Sequence, residues 1–269
     1  MDLMKVLKFK FGIRMSELIY DIHMAENPKA IICMPHSGMN LPEEFKDLVV
    51  SDSKVLGCDV DFRVFDLIDK KKLLSRGICL IIAKNIRTSV DLNRPRSTAL
   101  LNWDTNTMGE QVVSKRPESE LSEELLKKYY DPYFNKVKEI IKDNQIDQGI
   151  DLHSMPSRPT NYHLKKNPNQ KLERPDFCLS DLEGKSCPKA WMNDAIKYFE
   201  NKNYKVGYND PYKGGQGTVF LHEQGLKAMQ IEIKREIYME ETSQTLVDSM
   251  ALDLKEKLTS TLLEIFDLN

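Results

Sequence analysis

Two histidines lie far apart in the chain, yet each ends an apolar run and each is followed by serine. Ala30-Ile-Ile-Cys-Met-Pro35 leads into His36-Ser37-Gly38, and Gly149-Ile-Asp-Leu152 leads into His153-Ser154. Neutral imidazole nitrogens bind zinc, and a catalytic zinc takes three protein ligands while keeping one position open. Taken singly, a histidine at a strand end is more often a core or capping residue, and no short signature such as HExxH is present. The repeated setting is what points to metal chemistry. The third ligand has to be a carboxylate or another histidine. Asp59 and Asp61 are candidates, both at the start of a helical pattern within reach of the first histidine. Helix capping is the competing use of such residues. His163 and His222 fall in loop-like stretches and rank lower, and His23 reads as surface.

Glu232 sits inside Met229-Gln-Ile-Glu-Ile233, flanked by isoleucines. A carboxylate buried there is costly unless it is paired or has a chemical role. Beside a metal-activated water it is a general base that takes the water proton and returns it to a leaving amine. An ion pair with Lys234 or Arg235 is the structural alternative. Arg87 and Arg94 bring positive charge. One would stabilise the oxyanion of a tetrahedral intermediate, and another would grip a substrate carboxylate in a bidentate fork, helped by the Asn93 amide. Lys213-Gly-Gly215 is a flexible loop whose backbone can approach a ligand closely. Tyr238 offers a hydroxyl just past Glu232.

The elements that must position these residues follow from hydrophobic periodicity. Ala30 to Met34, Ile78 to Ala83, Gly149 to Leu152 and Lys227 to Ile233 read as buried strands, and open α/β sheets bind ligands at the carboxyl ends of such strands. Tyr204 to Tyr208 reads as a short strand, Thr88 to Leu92 as a possible one, and Val6 to Gly12 as an edge strand. Glu17 to Met24 fits a strand or a short helix equally. A helix start is expected at Leu41 to Phe45, and helical periods run over Asp59 to Leu74, Leu121 to Lys142, Cys187 to Asn201 and Glu241 to Phe266. Ser119 or Ser122 is available to cap the Leu121 helix, and Pro132 is placed to kink or split it. Residues 96–119, 155–175 and 209–217 read as loops. No repeat or linker divides the 269 residues, so the expectation is a single α/β domain spanning residues 1–269.

Bulk properties narrow the function classes. Net charge is −2, which argues against nucleic acid or anionic membrane as partner. No apolar run is long enough to span a bilayer, and no signal peptide is evident at the N-terminus. Five cysteines without close pairing suit reduced thiols in a cytoplasmic protein rather than a thiolate zinc cluster. The expected partner is a small molecule bearing a carboxylate, and the oligomeric state is open.

Five blocks in order resemble the N-formylglutamate amidohydrolase (N-formylglutamate deformylase) family: Pro35-His-Ser-Gly38, Val90-Asp-Leu-Asn-Arg-Pro95, Asp151-Leu-His-Ser154, Lys213-Gly-Gly215, and Gln230-Ile-Glu232 with Tyr238-Met-Glu-Glu241. Asp176 to Cys187 is a looser sixth. That family is similar in fold to zinc carboxypeptidases and the aspartoacylase group, within the phosphorylase/hydrolase-like α/β proteins. The resemblance implies a mixed, mostly parallel sheet of about eight strands with helices on both faces. It implies one zinc on His36 and His153, Arg87 near the oxyanion, Asn93 and Arg94 on a substrate carboxylate, and Glu232 as general base and acid. The implied reaction is hydrolysis of N-formyl-L-glutamate to formate and L-glutamate.

The wider fold group takes its first two zinc ligands from HxxE. Here the third residue after His36 is Met39, so a carboxylate from elsewhere is needed, Asp59 before Asp61. Two other functions fit the same residues. One is a carboxypeptidase-like hydrolase of small peptides or cell-wall fragments. The other is a non-catalytic module that binds a carboxylate.

Overall fold

The computed structural model describes residues 19–268. In chain order they form β1 (Tyr20–His23), β2 (Ala30–Met34), α1 (Ser53–Gly57), α2 (Lys70–Ser75), β3 (Ile78–Ala83), α3 (Arg96–Ala99), α4 (Ser119–Tyr129) and α5 (Asp131–Asn144). There follow β4 (Gln148–Met155), α6 (Asn161–Lys166), β5 (Phe177–Ser180), α7 (Lys189–Glu200), β6 (Val206–Tyr208), α8 (Gln216–Glu223), β7 (Lys227–Lys234), β8 (Met239–Glu240), β9 (Thr245–Leu246) and α9 (Asp248–Ile265).

Seven strands make one sheet in the order β1-β3-β2-β4-β7-β5-β6, and β8 pairs with β9 as a separate ribbon. The sheet is mixed and mostly parallel: only β1 on β3 and β5 on β7 run antiparallel. β2 and β3 are buried at every position, as continuous Ile-rich runs in a parallel sheet should be. The chain leaves β2 towards β3 on one side, while from β4 it proceeds to β5, β6 and β7 on the other. The connections therefore diverge between β2 and β4. Such a switch point opens a crevice at the strand C-termini, and His36 and His153 emerge from these two strands.

Helices cover both faces. On one, α4, α5 and α8 pack Leu125, Tyr133, Val137, Ile141 and Leu221 against Ile31, Cys33 and Ala228. On the other, α2, α7 and α9 pack Leu73, Phe199, Leu254, Leu258 and Leu262 against Ile150, Leu152 and Met229. In α9 the buried Leu254, Leu258, Leu262 and Ile265 recur three or four apart, the stripe of an amphipathic helix, broadened by Thr259, Thr261 and Leu263. Among the described residues no helix is long and apolar enough to cross a membrane, and all five cysteines are free.

Several local expectations are corrected. The helical period over Asp59 to Leu74 is broken: Arg63 adopts a left-handed φ of 53°, and α2 restarts only after Asp69, whose side chain accepts from Lys72 N. Leu41 to Phe45 yields only a 3-10 turn at Glu43–Phe45. Leu121 to Lys142 is two helices, because Pro132 sits in the first turn of α5, and neither serine caps α4. Thr88 to Leu92 is no strand, only a bridge between Val90 and Leu100. Residues 155–175 and 209–217 were expected as loops but hold α6 and the start of α8, and β5 escaped notice. The C-terminal helix starts at Asp248, after the β8–β9 ribbon. Glu17 to Met24 contains β1, and Val6 to Gly12 lies outside the described residues.

Candidate active site

β4 is longer than its apolar core suggests. Asp151, His153 and Ser154 belong to the strand itself. Parallel pairing with β7 sets Asp151 beside Gln230 and His153 beside Glu232. Since Ile150, Leu152, Met229, Ile231 and Ile233 all enter the α7–α9 face, the four polar residues share the opposite face. The other histidine is fixed by close backbone contact. A Cβ on Gly38 would lie 2.1 Å from the Lys84 carbonyl carbon. Only glycine lets the turn after His36 run against the end of β3, where Asn40 N donates to Lys84 O and Ile86 N to Asn40 O.

The two imidazole rings meet edge to face, with centroids 4.8 Å apart, and each is about 2% exposed or less. Between them lies Asp61. His153 Nδ1 is 2.9 Å and His36 Nδ1 3.8 Å from Asp61 Oδ2, and one donor atom from each residue falls within 4.8 Å of the others. The backbone helps: Asp61 N donates to His36 O. Each ring presents its far nitrogen to another carboxylate. His36 Nε2 bonds Asp91 Oδ1 at 2.7 Å. His153 Nε2 is 3.1 Å from Asp151 Oδ1 at an angle too poor for a hydrogen bond, so both atoms stay unpartnered. Outer carboxylates that orient histidine ligands are a feature of metal sites.

The electrostatics distinguish the rings. Burial, then the Arg87 charge, pushes His36 down to about 4, so it is a neutral imidazole. Burial also disfavours charge on His153, but Asp151 and Asp61 on its two sides outweigh it and hold the ring protonated well above the usual histidine range. Asp61 is lowered, because His153, His36 and Arg235 overcome the cost of its burial.

Glu232 accepts from Gln230 Nε2 at 2.7 Å and is otherwise enclosed. Burial, with Asp61 and Asp151 adding to it, pushes its carboxyl up to about 8. A carboxyl poised near neutrality suits proton transfer in both directions.

Arg87 pairs with Asp91 Oδ2 at 2.9 Å, donates to Asp59 O, and lies 5.8 Å over the Trp103 ring. Asp91 is fully buried, also takes Asn93 N, and is held well below the usual carboxylate range by Arg87 and His36 despite its burial. Arg94 lies over the same Trp103 ring at 5.5 Å. Asn93 Oδ1 is buried without a partner, and a Cβ on Gly215 would come within 1.9 Å of it, so the glycine loop closes directly on Asn93.

Of the residues expected from sequence, His36, His153, Glu232, Arg87, Asn93 and Arg94 come to one region. Asp59 does not join the histidines: its carboxylate accepts from Thr107 N and Thr107 Oγ1, and Asp61 takes the place assigned to it. Lys213 turns outward to Glu183, so only the glycines of its motif reach the site. Tyr238 is enclosed in the apolar face with its hydroxyl on Phe62 O. Three further residues to which the sequence reading gave no role in the site complete it. Asp91 lies inside a quoted motif, where its isolation between Val90 and Leu92 was the signal. Asp151 carries the same signal between Ile150 and Leu152. Arg235 donates to Ser154 Oγ and Val60 O and lies 3.7 Å from Asp61; only its place right after β7 hinted at this.

Comparison with known proteins defines a class, the hydrolases that act on amide bonds. The chain belongs to the N-formylglutamate amidohydrolase family, whose model matches residues 29–239. It is 26% identical over 242 residues to the N-formylglutamate deformylase of Pseudomonas putida, covering 83% of this chain and 86% of that one. The crystal structure of N-formylglutamate amidohydrolase from Ralstonia eutropha JMP134 superposes with a TM-score of 0.79 at 23% identity, over 93% of this chain and 97% of the other. A gene product of Agrobacterium tumefaciens follows at TM-score 0.66 and 18% identity, over 92% and 96% of the two chains.

Proposed function

We propose that this protein hydrolyses N-formyl-L-glutamate to formate and L-glutamate, using one zinc ion held by Nδ1 of His36, Nδ1 of His153 and the Asp61 carboxylate. The observation that carries the reading is the convergence of these three donors from separate parts of the chain. A tetrahedral zinc with bonds of roughly 2.0–2.1 Å spaces its ligand atoms about 3.3 Å apart. The observed separations of 2.9 and 3.8 Å to Asp61 bracket that figure. His36 is already neutral, and Asp91 and Asp151 stand behind the two rings as outer partners.

Bound there, zinc supplies Lewis acidity to the amide carbonyl and to water. Glu232 accepts the proton of the attacking water and delivers it to the departing amine nitrogen. Arg87, held by Asp91, contributes positive charge where the carbonyl oxygen becomes an anion. Arg94 and the Asn93 amide take a substrate carboxylate. His36, Asp61, His153 and Glu232 are buried and Arg87, Asn93 and Arg94 half-buried, which limits competition from bulk water.

The test is metal content and formate release together. Purified protein is expected to hold about one zinc per chain and to release formate from N-formyl-L-glutamate faster than it cleaves the acetyl or succinyl analogues. A chelator should abolish the activity and zinc should restore it. Protein that binds no zinc, or that hydrolyses the substrate equally well after chelation, defeats the reading.

A further inference from the structure

A buried guanidinium normally brings a carboxylate with it, because an unpaired charge in the interior is costly. Arg87 has Asp91, Arg235 has Asp61, and half-buried Arg96 has Glu123 and Asp131. Among the described arginines that are buried or half-buried, two lack an acid. One is Arg94, whose guanidinium meets the Asn93 carbonyl, the Trp103 ring and the Asn102 side-chain amide. The other is Arg174, just 2% exposed.

Arg174 is held in place by neutral groups. Its Nη1 donates to Pro156 O at 3.0 Å and to the Tyr212 hydroxyl at 3.1 Å, and its Nη2 reaches Gln170 Oε1 at 3.4 Å. Its Nε is sealed from solvent with no acceptor. An open cleft of about 410 Å³ is lined by Arg174 with Gln170, Pro175, Gly207 and Pro211, and it contains none of the residues described above as the active site.

Tyr212 has a second unspent donor. In α6, His163 Nδ1 accepts from Thr160 N, so the ring proton is on Nε2, which faces the Tyr212 hydroxyl at 3.3 Å. Burial and the Arg174 charge keep that ring neutral. The hydroxyl thus receives from both Arg174 and His163, and its own proton is free to donate. A line of rings joins this pair to Arg94: His163 to Tyr162 at 5.6 Å, Tyr162 to Trp103 at 4.7 Å, and Arg94 over Trp103. Glu232 lies close enough to Arg174 for its charge to be felt.

We propose that Arg174 and Tyr212 are the receptor for the side-chain carboxylate of the substrate, while Arg94 holds the carboxylate next to the scissile amide. The assignment rests on the formylglutamate reading above. Asn93 and Arg94 lie two and three residues after Asp91, which bonds His36 and takes Asn93 N, so they suit the carboxylate nearer the reacting centre. The two acid-free guanidiniums then match a dicarboxylate, one charge each. Arg174 is a specificity residue, with no part in the proton transfers.

The test compares N-formyl-L-glutamate with N-formyl-L-glutamine, which differs in that carboxylate alone. Wild type should strongly prefer the diacid. Arg174→Met should lower kcat/KM on N-formyl-L-glutamate about 100-fold, mainly through KM, with N-formyl-L-glutamine changed only a few-fold. Arg174→Lys should restore part of the preference, and it stands in if the methionine variant does not fold. Equal losses on both substrates, or an undiminished preference in the variant, overturn the assignment. Binding is read separately from turnover: glutarate should raise the Tm of wild type, butyrate should not, and glutarate should lose its effect on the variant. If wild type releases no formate from either substrate, the formylglutamate reading fails alone. The glutarate shift still decides the inference: a shift lost in the variant supports it, and an equal shift in both proteins refutes it.

Discussion

β4 and β7 have two faces of equal burial and opposite chemistry. One carries Ile150, Leu152, Met229, Ile231 and Ile233 into the layer formed by α7 and α9. The other carries Asp151, His153, Gln230 and Glu232, all 6% exposed or less. Apolar burial on the first face stabilises the fold by about 25 cal/mol per Å² removed from water. Burial on the second face costs free energy unless each polar group finds a partner, and here several lack a hydrogen bond: Asp151 Oδ1 and His153 Nε2, which face each other as an ion pair at 3.1 Å, and Gln230 Oε1. The same two strands therefore serve as scaffold on one side and as a store of unsatisfied polarity on the other. Depth alone does not mark a site; buried polar atoms with unused capacity do.

Substitutions on the two faces should separate along this line. The largest effect is expected from Asp61→Ala, which removes the carboxylate between the histidines: zinc content by metal analysis should fall to near zero, and hydrolysis with it. Asp59→Asn is the matched control and should retain its zinc, since that side chain bonds Thr107 instead. Next, Glu232→Gln should keep zinc while kcat falls about 10²–10⁴-fold, the usual worth of general acid–base catalysis. Retained turnover would remove Glu232 from its role.

On the opposite face Leu152→Ala should cost roughly 2–5 kcal/mol in denaturant unfolding, with zinc stoichiometry and KM unchanged. A change in KM would show that the two faces are not independent. Asp91→Asn, which weakens the outer partner of His36, should reduce zinc affinity about 10–100-fold in a chelator competition.

The smallest effect concerns pH. In metal-free protein the folded Glu232 carboxyl titrates near 8, against an ordinary value of 4.5. The folded state keeps a proton that the unfolded chain releases, so stability falls as pH rises from about 4.5 to about 8 and this contribution levels off above. His153, raised by Asp151 and Asp61, adds a loss of the same sign above the ordinary histidine value of 6.5. Metal-free Glu232→Gln lacks the first contribution. Its Tm should gain on wild type by a few degrees across that window, and equal slopes would contradict the burial argument.

Much of this is legible in the sequence. β2 and β3 match their apolar runs residue for residue, and the histidines at the ends of β2 and β4 stood out because imidazole closes an otherwise apolar run. Glu232 stood out as a charge between isoleucines. Asp59 and Asp61 were not separable, since the choice depends on a left-handed Arg63 and on Thr107 capturing the nearer carboxylate, neither of which leaves a periodic trace. Lys213 and Tyr238 fall within motifs, but sequence position does not give side-chain direction, which Glu183 and Phe62 O set. Arg174 was silent because its proline-rich, polar neighbourhood reads as surface.

The donors of the candidate centre come from residues 36, 61 and 153, and the proton-carrying glutamate from residue 232, on a strand laid between β4 and β5. A nascent chain emerging from the ribosome holds both imidazoles long before β7 exists to flank them. All three donors thus lie within the first 153 residues, and Glu232 reaches them only through the pairing of β7 with β4.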